Sequence, residues 1–236
     1  MSGRTIPDTI IAHQAAGGAD ALSEVDDIGS TLPIFPLSGC LLLPRANLPL
    51  HIFEPRYRAM IQDALDGAAV IGMVQPRTGE VTHSPAPIYH TGCLGKVTSH
   101  QKTEDGRFFL ILSGLCRFDI DEELPLARGG YRLVHPSLER YIKDLQPPPP
   151  GFLKRDRLLE KLRHFATSQD LRVSWEDLRT AQDEELVNAI CMGLPLDSGD
   201  KQTLLEARDP KARAEMLMVM LEMEIHTMGE QPSWAQ

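Results

Sequence analysis

From Phe108 to Ile120 the even positions run Phe108, Leu110, Leu112, Gly114, Cys116, Phe118 and Ile120, an unbroken apolar or small series. A period of two is that of a strand with one face turned inward. The charged odd positions beyond residue 116, Arg117, Asp119 and Asp121, are therefore expected to face outward. Upstream, Asp105-Gly106 is a preferred hairpin turn pair, so Gly92 to Asp121 reads as two antiparallel strands. Gly114 in mid-strand predicts a bend or bulge, as a small closed barrel needs at its corners.

Shorter strand patterns surround this hairpin. "PIFPLSGCLLLP" is a strand interrupted by Pro36 and Gly39, and "NLPLHIFE" is a second, with Leu48, Leu50 and Ile52 alternating against Asn47, Pro49 and His51. Pro49 has no amide proton for a ladder, which predicts a sheet edge or a bulge. Pro55 then suits the first position of a helix and Glu54 its positive end, while Tyr57, Met60, Ile61, Ala64 and Leu65 form one apolar stripe closed by Asp66-Gly67. "VIGMVQ" predicts a short buried strand, and Tyr131 to Tyr141 a last one.

The pattern changes at "QPPPPG", where four prolines favour a stiff spacer and exclude helix or central strand. Beyond it the spacing is helical, over about 152–167, 174–180, 183–192, 200–207 and 210–228. Ser174 and Asp177 have the form of a capping box. Methionines 216, 218, 220, 223 and 228 crowd the last helix, either as a pliable binding surface or, more simply, as core packing. The expected divisions are a loose N-terminal arm over 1–30, a β subdomain over 31–146, a linker over 147–151, a helical subdomain over 152–229 and a tail over 230–236.

At 236 residues and 42% apolar composition the chain can build a sizeable core without a metal or staple. Its formal charge of −9 argues against a nucleic-acid backbone or an anionic membrane as general partner. The acidic, small-residue start carries no signal-peptide pattern, and no run approaches the ~18–20 apolar residues of a membrane helix. Cys40, Cys93, Cys116 and Cys191 are scattered, with no Cys-x-x-Cys, which fits a reducing cytoplasm and neither a disulfide framework nor a zinc ribbon.

Catalytic patterns are weak. No phosphate-cradling Gly-Lys-Ser/Thr loop occurs, and no Gly-x-Ser-x-Gly elbow. His90, Cys93 and His100 are too few and too irregularly spaced to predict a metal, so no cofactor is expected. A hydrolase would have to use His51 with Glu54, or Cys93 with His90.

The blocks "LPIFPLSGCLLLPRANLPLHIFEPRYRAMIQDAL", "IGMVQP" and "IYHTGCLGKVTSHQKTEDGRFFLILSGLCRFDI" occur in an order that resembles the N-terminal substrate-binding domain of the Lon ATP-dependent proteases, in a short stand-alone bacterial form. The likeness runs from about Leu32 to Tyr141, and the helical remainder agrees with that family's layout. It implies an α+β fold, a PUA-like six-stranded β-barrel with one early helix followed by a C-terminal helical bundle. It also implies a non-catalytic module that holds unfolded or extended polypeptide segments or a partner protein, as an adaptor or regulator of proteolysis, since the ATPase and Ser-Lys protease modules are missing. The PUA likeness leaves RNA binding as an alternative, with Arg45, Arg56, Arg58, Arg77 and Lys96 as a local basic patch. The candidate binding residues are Arg45, His51, Phe53, Glu54, Arg56 and Tyr57 around the strand-helix joint. Their competing reading is structural, with Phe53 and Tyr57 packing while the charged groups cap the helix and pair on the surface.

Overall fold

The computed structural model describes residues 28–77 and 86–229. The expected N-terminal arm up to residue 27 and the expected tail at 230–236 fall outside the described residues. The architecture is mixed α/β: a six-stranded sheet with one helix inside its chain order and further helices after it.

The strands are β1 (Leu32–Pro36), β2 (Asn47–Ile52), β3 (Val70–Val74), β4 (Thr91–Lys102), β5 (Phe108–Leu124) and β6 (Arg132–Ser137). Helix α1 (Pro55–Leu65) separates β2 from β3, with Pro55 in its first turn after Glu54. Its buried side chains Tyr57, Met60, Ile61 and Ala64 are the predicted stripe. Strand β1 pairs in parallel with β3 and antiparallel with β6, and β4 lies antiparallel between β3 and β5. Strand β5 is long enough to serve two further partners, β2 along residues 108–113 and β6 along 119–124. The pairings β1, β3, β4, β5, β6 and back to β1 therefore form a closed circuit, with β2 attached outside it.

The predicted break at Gly114 has a specific cause. Its N–H donates to the Ala46 carbonyl and its carbonyl accepts from the Arg45 N–H, both at 2.8 Å. A Cβ at this position would lie 2.0 Å from the Leu43 carbonyl oxygen, so only glycine lets the chain at 43–46 cross here. The β4–β5 register shifts beside it, from Cys93↔Arg117 to Gly95↔Gly114, as a bulge. From Phe108 to Ile120 the even-numbered face of β5 is buried, as its alternation predicts, and the burial ends at Glu122. It serves two cores: Phe108, Leu110 and Leu112 join the larger cluster, whereas Cys116, Phe118 and Ile120 join a smaller one with Leu32, Ile34, Leu94 and Val134.

After β6 comes a 3-10 helix, η1 (Glu139–Leu145), and then α2 (Arg155–Ser168), α3 (Trp175–Thr180), α4 (Asp183–Gly193), α5 (Ser198–Glu206) and α6 (Pro210–Gly229). The larger core cluster continues without interruption from Leu41, Leu42 and Leu43 into Leu162, Ile190 and Leu217 of these helices. Polar links reinforce the seam. Lys201 donates to the carbonyls of Gly39 (2.6 Å) and Met192 (3.3 Å), Asn188 to that of Pro44 (3.0 Å), and Gln202 to that of Thr91 (3.0 Å).

Several sequence expectations are corrected. Arg117 does not meet solvent; it is 2% exposed, because η1 and the α5–α6 junction cover the side of β5 it leaves from. Its Nε and Nη2 donate to the two carboxylate oxygens of Asp144, each at 2.7 Å, Nη1 reaches the carbonyls of Leu205 and Ala207, and the guanidinium lies 4.4 Å from the centre of the Tyr141 ring. Tyr141 belongs to η1 rather than to a strand, and the first helix after the prolines begins at Arg155, not Phe152. Ser174 makes no side-chain cap bond; it is Glu185 of α4 that reaches back to the Gln182 N–H, at 2.9 Å. On α6 the core-facing residues are Ala214, Leu217 and Leu221, whereas Met216 and Met223 are exposed and Met218 and Met220 only half-buried.

Candidate functional site

Strand β2 ends the sheet order and delivers His51 and, just past its end, Phe53 to the outer face of its pairing with β5. His51 stands directly opposite Phe109, and their rings stack with centroids 4.3 Å apart and planes 6° from parallel. The Phe53 ring lies 5.8 Å from His51, so three rings form one contiguous surface. Phe53 is 60% exposed and Phe109 49%, a clustering that scattered surface hydrophobes do not show. Alternation explains the exposure, since Phe108 takes the inward side of β5 and Phe109 must take the other.

An open groove of about 410 Å3 runs along this face, lined by Pro49, Leu50 and His51 of β2, Ser99, His100 and Gln101 of β4, and Phe109, Leu110 and Ile111 of β5. Among the described residues, no carboxylate, lysine or arginine lines it. Such a surface offers ring faces and aliphatic carbon for contact, with amide, hydroxyl and imidazole groups for hydrogen bonds. That is the chemistry of holding an apolar or aromatic side chain on an extended strand.

The remaining candidate residues are placed elsewhere or used otherwise. Tyr57 is buried, its ring 4.3 Å from that of Phe35. Glu54 and Arg56 pair with each other on the surface at the start of α1, Nε to Oε2 at 3.1 Å, and the Arg56 guanidinium lies 4.5 Å from the Tyr57 ring centre. Arg45, with a left-handed φ of 61°, points to the helices: its guanidinium donates to Glu184 Oε2 (2.8 Å) and Oε1 (2.6 Å) and to the Asp144 carbonyl. It lines a separate cleft of about 540 Å3 between residues 147–152 and the start of α4. Of the six candidates, His51 and Phe53 form the accessible ring surface, Glu54 and Arg56 form a separate surface ion pair, and Arg45 and Tyr57 are taken up by other elements. Phe109, which completes the ring surface, was absent from the candidate set although its parity on β5 marked it.

Neither catalytic pairing considered from sequence has supporting geometry. The Glu54 carboxylate bonds Arg56 while the His51 ring faces Phe109. Cys93 is buried, and that burial first, then the charge of Asp144, pushes its thiol well above the ordinary range, away from the thiolate a nucleophile needs. His90 is exposed and faces Asp119 at 3.6 Å. Among the described residues no group of three or more His, Cys, Asp or Glu side chains has the geometry to hold a metal ion, and no helix is long and apolar enough to cross a membrane.

Comparison with known proteins bears on this geometry. Residues 31–223 match the family model described as the ATP-dependent protease La (LON) substrate-binding domain. Curated relatives include the Lon protease of Parabacteroides distasonis, 28% identical over 87% of this chain and 25% of its own length, and that of Elusimicrobium minutum, 28% identical over 86% and 25%. The chain thus spans about a quarter of the length of these relatives. Among solved structures, a Lon N-terminal domain protein from Xanthomonas campestris aligns over 80% of this chain and 97% of its own, with a TM-score of 0.55 and 24% identity. The N-terminal domain of Lon protease from the Mycobacterium avium complex aligns over 81% and 98%, with a TM-score of 0.54 and 17% identity.

Proposed function

Because the chain belongs to the LON substrate-binding domain family, we propose that it is a non-catalytic module that holds extended or unfolded polypeptide segments on the outer face of β2, β5 and β4. The observation that carries this reading is the contiguous, exposed ring surface of His51, Phe53 and Phe109 beside an uncharged groove. In a cell such a module acts as an adaptor or regulator of proteolysis, and we place it in the cytoplasm. We read the closed circuit of strand pairings as a PUA-like barrel and the helices after residue 151 as a bundle docked on it. Residues 31–146 and 152–229 are then two subdomains of one folding unit, joined by the proline-rich segment at 147–151.

The RNA-binding alternative is less well supported, because no lysine or arginine among the described residues lines the groove and the chain carries −9 formal charge. Of the proposed basic patch, Arg45 is bound to Glu184 and Arg56 to Glu54.

Fluorescence anisotropy with labelled peptides from an unfolded casein tests the reading. Phe109→Ala and Phe53→Ala are each expected to weaken binding about tenfold, as aromatic anchors do, with the melting temperature nearly unchanged because both rings are exposed. Peptide affinity unaffected by both changes removes this face from consideration. Salt-dependent retention of RNA in a gel shift would favour the alternative instead.

A further inference from the structure

Helix α6 is apolar on two sides. Ala214, Leu217 and Leu221 face the core and are buried. Met216, Val219 and Met223 lie on another side at 38%, 52% and 63% exposure, and with Ala212 they repeat at intervals of four, three and four residues. That interval is the seam of a two-stranded coiled coil. A surface helix with one side packed should be polar on the rest, and this one is not.

We infer that this seam pairs α6 with the α6 of a second copy of the chain, antiparallel. Charge along the helix favours that occupant and that orientation. Lys211 sits near the start of α6 and Glu224 more than three turns on, while Glu222 is held by Lys161 of α2 in the same chain. Antiparallel pairing sets the lysine of each copy beside the acidic end of the other and opposes the two helix dipoles, whereas parallel pairing aligns like charges. Met216 of one copy then packs on Val219 of the other, and Ala212 meets Met223, so large and small side chains alternate across the seam. The inference is independent of the groove on the sheet, which lies on other elements.

Sedimentation velocity on the full chain tests it, up to about 100 μM because a seam this short is small for a stable interface. The expected result is a dimer that dissociates on dilution. Val219→Arg should give a monomer with unchanged circular dichroism, and Lys211→Glu should weaken the dimer about fivefold, as one partly exposed charge pair does. With Cys40 replaced by serine, a mixture of Met216→Cys and Val219→Cys chains should cross-link between the two types faster than within either. A chain lacking residues 230–236 should remain dimeric. A monomer throughout the concentration range, a dimer indifferent to Val219→Arg, faster cross-linking within one type, or loss of the dimer on that truncation would each overturn the inference.

Discussion

Arg117 and Asp144 carry opposite charges where water is nearly excluded, and the guanidinium is bonded to that carboxylate and to two backbone carbonyls. Removing one partner strands the other, which typically destabilises a protein by about 3–5 kcal/mol, whereas replacing both with apolar groups is often far milder. Arg117→Ala is therefore expected to lower the urea midpoint steeply, and Arg117→Met with Asp144→Leu to recover much of the loss. A double variant as unstable as the sum of the singles would show that the pair is not what matters. A second group of residues sets the response to alkali. Burial pushes the Cys116 and Cys191 thiols up to about 12, and burial, with the 2.7 Å bond to Asp63, raises the Tyr131 phenol to about 12. In each case the fold holds the neutral, protonated form, while the unfolded chain ionises from about pH 9 for the thiols and 10 for the phenol. These groups therefore contribute their full stability below pH 9 and lose it as pH rises towards 12. Thermal melts from pH 7 to 11.5 should fall only above pH 9, and a flat profile would contradict the assignment.

At the scale of elements, Gly114 is the most sensitive backbone position, since a Cβ there meets carbonyl rather than a movable side chain. Gly114→Ala should destabilise by at least about 2 kcal/mol through displacement of residues 43–46, measured by chemical unfolding. The bend itself was legible, because a glycine interrupting a long alternation has few other uses. So were α1 and the hairpin, whose apolar spacing has a single period and whose ends carry Pro55 and Asp105-Gly106. Arg117 was misread for a physical reason: alternation tells which side of a strand a residue leaves from, not what covers that side, and its cover comes from residues 27 to 90 positions away. The candidate site was half legible on the same grounds. His51 and Phe53 stay accessible because no described element packs on the outer face of β2, but Arg45 and Tyr57 are claimed by α4 and β1, elements that local pattern does not connect to them.

For the whole molecule, the β and helical subdomains do not part cleanly. Leu41, Leu42 and Leu43 are at most 2% exposed and share one core cluster with the helices, and Asn188, Lys201 and Gln202 of α4 and α5 donate to the same loop and the start of β4, beside a hydroxyl pair of Ser38 and Ser198. A fragment ending at residue 146 should therefore be loosely packed, with dye-binding apolar surface and no cooperative melt. A sharp transition in that fragment would show that the β subdomain stands alone. If two copies pair through α6, each assembly displays two ring surfaces, and a polypeptide long enough to reach both is held more tightly than either surface holds it.

The carbonyls that receive Arg117 belong to residues 205 and 207, which are made long after β5. At ordinary rates of synthesis the strand waits on the order of ten seconds for them. Asp144 is made only 27 residues after Arg117, so the carboxylate can hold the guanidinium on β5 before the last two acceptors exist, and a charge on a strand is the kind of feature that keeps an unfinished sheet from joining a neighbouring chain. The seam between strand and helices is therefore the last part of the arginine's surroundings to be completed as the chain is made.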